Sequence, residues 1–377
     1  MKSHGRGWVK KVFPGANTPD GFFSFYDYVI GPDANKVVIV KGGPGVGKST
    51  LMRKIGQRFV EMGYDVEFLC CSSDNDSLDG VAVQDLSLAL IDGTAPHIVD
   101  PKNPGAVDEI INLGEFWDEK ALRACKREIM EANTEVSRHF QRAFRYLKEA
   151  KIIHDDWEAC YTEALDFGCA NCMAEEVKRD VFGDMPVSPA PGRARRLFAS
   201  ALSPDGPVHH LHTIVDRLPR RYILKGEPGT GKSTLVRKVG DAAIERGLDV
   251  EFYHCPLDPS KVDHVAIPSL GVAVISSAWP HVIDASKELD RTVEMKAALD
   301  EAVVARYREV ISGARDRFHQ ALERATEFLR KAKLVHDRMQ AYYVRSMDFA
   351  SVDHLCEHLL ARMLDLEREA AAQASAG

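Results

Sequence analysis

The reading turns on Lys41-Gly42-Gly43-Pro44-Gly45-Val46-Gly47-Lys48-Ser49-Thr50, which returns later as Lys225-Gly226-Glu227-Pro228-Gly229-Thr230-Gly231-Lys232-Ser233-Thr234. Both copies fit Gly, four residues, Gly-Lys-Ser. In that pattern glycines let backbone N–H groups close around a phosphate, the lysine neutralises its charge, and the serine hydroxyl joins Mg²⁺. Each copy follows a short apolar run, Val37 to Val40 or Tyr222 to Leu224, and opens a helical pattern, Leu51 to Ile55 or Leu235 to Val239. Strand, glycine turn and helix N-terminus together form an anion site, because orphan N–H groups and the helix dipole point at the same place. A glycine-rich turn matching by chance is the alternative, and two copies in one context argue against it.

The repeat is much longer than the loop. An offset of 184, the step from Lys48 to Lys232, holds without a gap from Lys41 to Asp100. Along it Arg53, Lys54, Gly56, Gly63, Asp65 to Phe68, Cys71, Asp74, Asp79 and Pro96-His97 all reappear. Between the copies lies Met185-Pro186-Val187-Ser188-Pro189-Ala190-Pro191-Gly192, whose prolines suit a semi-rigid linker. The expected domains are therefore 1–184 and 185–377.

Each half runs strand, glycine loop, helix, a second strand (Val66 to Cys71; Val250 to Cys255), an acidic loop, and a third apolar run (Leu86 to Ile91; Leu270 to Ile275). Strands alternating with helices predict an α/β fold with a mainly parallel sheet, whose ligands collect at the carboxyl ends of the strands. After Asp118 the period changes. From Leu122 to Ala164 apolar residues recur at steps of three and four, and the second half keeps this seam from Val304 to Tyr343. Each half thus carries a long helical extension, about 118–182 and about 286–372. The two seams are expected to bury against each other, with a partner-docking arm as the alternative, so His154 and His336 read as packed rings.

The chain has 377 residues, 45% of them hydrophobic, a net charge of −7 and eight cysteines. This size favours two domains, and the charge gives no general attraction to nucleic acid or an anionic membrane. The basic clusters Arg193 to Arg196 and Arg217 to Arg221 read as solvated charge runs. Met1 to Trp8 has no apolar signal-peptide core and no run approaches a membrane span, which predicts a cytoplasmic protein. Scattered cysteines predict thiols, and Cys169-Ala170-Asn171-Cys172, with no second pair, reads as helical packing rather than a metal or redox site.

The chemistry is expected at the strand ends. Asp92, after the third strand, stands where a carboxylate holds Mg²⁺ through water, with a turn-capping role beside Gly93 as the alternative. Its counterpart is Ser276, so the halves differ. The loop Ser72 to Asp79 offers Asp74, Asp76 and Asp79; Asp74 is the candidate for orienting a water or a substrate hydroxyl, against the alternative of bonding turn backbone. His97 and His281 could sense phosphate or pack as rings.

The glycine loops and their neighbours resemble the P-loop NTPase superfamily. Lys41 to Met52, Cys71-Ser72-Ser73-Asp74-Asn75-Asp76-Ser77 and Asp92-Gly93-Thr94-Ala95-Pro96-His97 are also similar to a family of bacterial tandem P-loop ATP-binding proteins. That resemblance implies ATP binding and no particular reaction. The loop residues Gly42 to Thr50 and Gly226 to Thr234 become the nucleotide-binding candidates, Ser49, Asp92 and Ser233 the Mg²⁺ candidates, and Lys48, Asp92 and Asp74 the catalytic ones. No Asn-Lys-x-Asp stretch supports guanine selectivity, and Gly93 stands where many ATPases place a glutamate. The expected activity is Mg²⁺-dependent ATP hydrolysis, chiefly in the first half, with the second half mainly binding. A kinase for a small molecule or nucleotide and a non-hydrolysing ATP-dependent switch are the alternatives. A protein partner on the helical extensions, pairing of the halves within one chain, and a homo-oligomer all stay open.

Overall fold

The computed structural model describes residues 5–96 and 98–376. In chain order the first part holds β1 (Val9–Val12), the hairpin strands β2 (Gly15–Thr18) and β3 (Gly21–Ser24), β4 (Lys36–Lys41), α1 (Lys48–Glu61), β5 (Val66–Cys70), β6 (Leu78–Val83), β7 (Leu88–Asp92) and β8 (Asp108–Asn112). The helices α2 (Glu119–Ala124), α3 (Lys126–Glu163) and α4 (Phe167–Phe182) follow. The second part repeats the series: β9 (Ala194–Leu197), β10 (Ser200–Ser203), β11 (Gly206–His209), α5 (Leu211–Val215), β12 (Arg220–Lys225), α6 (Lys232–Glu245), β13 (Val250–His254) and β14 (Val262–Ile267). It closes with β15 (Val272–Ser277), β16 (Arg291–Glu294), α7 (Glu301–Arg306), α8 (Arg308–Arg345) and α9 (Phe349–Ala376).

The fold is α/β, with two six-stranded sheets in the orders β1-β5-β6-β7-β4-β8 and β16-β12-β15-β14-β13-β9. Each sheet is mixed. β6 and β14 run antiparallel to both neighbours, and the other pairings are parallel. The antiparallel strand was hidden in what reads as the end of an acidic loop. Leu78-Asp79-Gly80-Val81-Ala82-Val83 carries enough polar character to look like loop, yet it is fully buried between β5 and β7. Among the described residues no helix is long and apolar enough to cross a membrane.

The chain divides into two compact units, and they do not follow the repeat. One unit takes the residues up to Pro14, Tyr26 to Phe140, and Arg330 onward; the other takes Gly15 to Phe25 and Gln141 to Leu329. These units differ from the linker-based division into 1–184 and 185–377, because each helical extension contributes its far end to the unit that holds the other half's sheet. The hairpin β2–β3 also belongs to the second unit, where Asn17 Nδ2 donates to Leu202 O at 3.0 Å and Phe25 packs on Phe198, with ring centroids 5.0 Å apart.

Seam residues decide this arrangement. In the second unit Leu147, Ala150, Trp157 and Tyr161 of α3 form one buried cluster with Ile311, Ala314, Phe318 and Leu322 of α8. In the first unit Ala332, Val335 and Met339 are buried, and Arg338 pairs with Glu135 at 3.5 Å. The seams do bury against each other. Each junction is pinned by main-chain bonds: Asp118 N donates to Ser346 O at 2.7 Å and Asp348 N to Phe116 O at 2.9 Å, while Asp166 N donates to Ala298 O and Asp300 N to Ala164 O, both at 2.8 Å. The same aspartates, Asp118, Asp166, Asp300 and Asp348, cap α2, α4, α7 and α9 in turn, where they satisfy first-turn N–H groups. The seam is not one unbroken helix, since α2 ends at Ala124 and α3 begins at Lys126.

Candidate functional site

In the first unit β4 delivers the chain into the glycine loop and α1 carries it away. Gly45 and Gly47 have φ of 72° and 96°, left-handed values that a side chain strains to adopt. A Cβ on Gly42 would come 2.9 Å from Val46 Cγ2, inside the loop itself. Gly47 is the N-cap of α1 and offers no side-chain cap, so the first-turn N–H groups of the helix are left open toward the loop. Lys48 Nζ donates to Gly42 O and Gly43 O, both at 2.8 Å, and so spans the loop.

Asp92 ends β7, whose pairing with β4 sets it beside Val40, one residue before the loop begins. One oxygen accepts from Thr94 N at 2.8 Å and the other lies 3.5 Å from Lys48 Nζ. Asp92 thus caps the turn with one oxygen and turns the other toward Lys48. Thr94 Oγ1 donates to Gly42 O at 3.0 Å, which ties the end of β7 to the loop. Burial pushes the Lys48 ammonium down, and Asp92 opposes that shift.

Asp74 is differently engaged. Its carboxylate accepts from Asp76 N at 3.2 Å, closing a turn, and pairs with Lys333 Nζ of α8 at 3.3 Å. Asp79, one residue into β6, is the carboxylate that the sequence reading left out of the site. It is 3% exposed, accepts from Tyr26 Oη at 3.1 Å, and acts electrostatically on Lys48. Ser49 Oγ accepts from the adjacent Leu78 N at 3.0 Å. The available signal was recurrence: Asp79 returns as Asp263 while its neighbour Asp76 has no acidic counterpart. His97 lies outside the described residues.

The second unit rebuilds the cradle. Gly229 and Gly231 have φ of 81° and 85°, Lys232 Nζ donates to Gly226 O at 2.7 Å and Glu227 O at 2.6 Å, and Ser233 Oγ accepts from Val262 N at 3.2 Å. A Cβ on Gly226 would meet Thr230 Oγ1 at 2.7 Å. Ser276 pairs across from Leu224 and supplies no charge where Asp92 stands in the other copy. Burial accordingly drives Lys232 down to about 8, against the opposing pull of Asp263, Glu227 and Glu158. Asp263 is partly buried and pushed up to about 6 by desolvation.

Each loop is covered by the extension that belongs in sequence to the other half. Gly43 lies under Tyr343 and Gly45 under Gln340 and Val344, whereas Gly229 lies under Glu158 and Thr162. Gln340 and Val344 are the seam counterparts of Glu158 and Thr162. Periodicity placed these residues on helices and gave no sign of which loop they would cover. The CxxC pair sits on α4 as free thiols, Cys169 partly buried and Cys172 exposed.

No family model, no curated protein and no solved structure matches this chain.

Proposed function

We propose that this protein binds ATP with Mg²⁺ at both glycine loops and hydrolyses it chiefly at the first, the second serving mainly to bind. The observation that carries the reading is the Lys48–Asp92 approach of 3.5 Å, made by a lysine that also donates to the loop carbonyls of Gly42 and Gly43. The residues fit the implied groups. A loop that a single Cβ would fill, with a helix N-terminus left uncapped by any side chain, suits a phosphate chain. Ser49 and Asp92 are the pair that would hold Mg²⁺ at the first loop, and Ser233 alone would serve at the second. When bound, Mg²⁺ neutralises phosphate charge as the leaving oxygen separates.

The chain's own residues would act as follows. Lys48 leaves the carbonyls of Gly42 and Gly43 for phosphate oxygens, and Asp92 keeps it protonated despite its burial. Asp79, held by Tyr26 Oη, adds a second fixed negative charge near the lysine. Asp74, already bonded to turn backbone and to Lys333, is removed from the first rank of candidates for activating water. Phosphate release by the purified protein with ATP and Mg²⁺, and no acceptor, tests the reading. Lys48→Ala should abolish release and Lys232→Ala should reduce it less. Equal losses would overturn the asymmetry, and no release from the wild type would overturn hydrolysis.

A further inference from the structure

The second unit contains a group of ring nitrogens that the nucleotide reading does not use. His264 on β14 is 1% exposed and His281, in the loop after β15, is 5% exposed. Neither nitrogen of His264, nor Nε2 of His281, nor Nδ1 of the nearby His209 has a hydrogen-bond partner among the described residues. A buried polar atom left without a partner is destabilising, and several in one place call for an explanation. The rings stand edge to face, with centroids 4.8 Å apart for His264 and His281 and 5.5 Å for His209 and His281. Asp263 joins them, since one donor atom each from Asp263, His264 and His281 lie within 4.8 Å of one another.

Those spacings suit a metal. With a metal–nitrogen bond of ~2.1 Å and a nitrogen ~1.1 Å from its ring centre, two imidazoles at a tetrahedral angle have centroids roughly 5.2 Å apart. The observed values fall on either side of that distance. Packed histidines could share the spacing, but each would ordinarily find a carbonyl, hydroxyl or carboxylate for its N–H. Here the unpartnered nitrogens and a partly buried carboxylate converge instead. The group is specific to one half, for at the repeat offset Asp263 corresponds to Asp79 but His264 corresponds to Gly80. We propose that His264, His281 and Asp263, with His209 as the outermost donor, form a binding site for a divalent transition-metal ion of the Zn²⁺ class. Nitrogen-rich donors select against Mg²⁺, so the ion differs in class from the nucleotide's metal.

The test is a Co²⁺ titration of the full-length protein after removal of metal with a chelator, read by visible absorption and by calorimetry, with Zn²⁺ as competitor. One Co²⁺ per chain should bind with the intense absorption of a four- or five-coordinate site, and a large excess of Mg²⁺ should not displace it. His264→Ala and His281→Ala should each weaken binding on the order of 100-fold, and His209→Ala on the order of 10-fold. His154→Ala, at the other grouping of metal-type ligands formed with Asp155 and Glu158, should leave the spectrum unchanged. If the histidine variants unfold, the wild type still decides the matter: Zn²⁺ should raise its melting temperature and Mg²⁺ at the same concentration should not. No Co²⁺ spectrum from the wild type, a spectrum lost only in His154→Ala, or no thermal shift with Zn²⁺ would each overturn the site and leave a packed histidine cluster.

Discussion

The ring of Tyr343 lies directly against Gly43, where a Cβ would stand only 2.6 Å from Tyr343 Cε1. One residue belongs to the first glycine loop and the other to the end of α8, in the opposite half of the sequence. The first half's glycine loop is therefore built against the second half's helix. The matching contact, Gly229 under the carbonyl of Glu158, repeats the exchange in the other unit.

Gly43→Ala should destabilise the first unit by about 1–3 kcal/mol, because the added methyl must displace an aromatic ring held among packed neighbours. In a Tyr343→Ala background the same change should cost much less. Thermal unfolding of the two single variants and the double variant measures that coupling, and additive costs would show that the ring moves aside freely.

ATP binding should reach α8 through the same contact. Gln340, Tyr343 and Val344 cover the outer face of the first loop, so nucleotide should slow amide hydrogen exchange around 340–344 in the wild type and not in Lys48→Ala. Protection confined to the loop and α1 would count against this coupling.

Asp92→Ser copies Ser276 into the first site. Phosphate release should fall on the order of 100-fold, the scale of losing one fixed electrostatic group at a reacting centre. Nucleotide affinity should change far less, since the cradle glycines and Lys48 remain. A variant that kept its rate would remove Asp92 from the proposed chemistry.

The second site should weaken in alkali. Lys232 titrates at about 8 because burial disfavours its ammonium form. Bound phosphate would favour that charged form, so above pH 8 binding must take up a proton, and affinity falls as pH rises, by at most tenfold per unit. ATP titrations of Lys48→Ala at pH 7 and 9, which isolate the second loop, should show the decline; a constant affinity would mean that Lys232 stays charged throughout.

Arg221 and Asp290 anchor the loop before β16. Arg221 Nη2 lies 2.5 Å from Asp290 Oδ2, with the side chains 3% and 0% exposed, and Asp290 also accepts from Ser286 N and Lys287 N. Asp290→Ala should destabilise the second unit by about 3 kcal/mol, because among the described residues it leaves a covered guanidinium with Asp216 as its one counterion. The arginine and those N–H bonds hold the Asp290 carboxyl well below its usual range. Its contribution is therefore complete above the ordinary carboxylate pKa near 4 and is lost as pH falls below that value. Acid unfolding of wild type and variant should converge at low pH.

Short-range sequence pattern was enough for the local structure of the two glycine loops. Glycines at fixed spacing, a strand before and a helix after them are short-range requirements, so both cradles and the difference between Asp92 and Ser276 could be read directly. Three- and four-residue periodicity likewise found the long helices, and the seams it identified are the buried ones. The linker prolines marked where the repeat ends, but not where the compact units divide. That division depends on which apolar stripe each helix meets more than a hundred residues away, and a stripe carries no address. Tertiary structure also decided the roles of the carboxylates. Asp74 and Asp79 look alike in one acidic loop, yet the first is taken by turn backbone and Lys333, while the second is buried in a strand between its neighbours, bonded by Tyr26, and acts electrostatically on Lys48. Only packing around the sheet brought His209, His264 and His281 together, because they lie on separate segments whose pattern gives no metal-binding spacing.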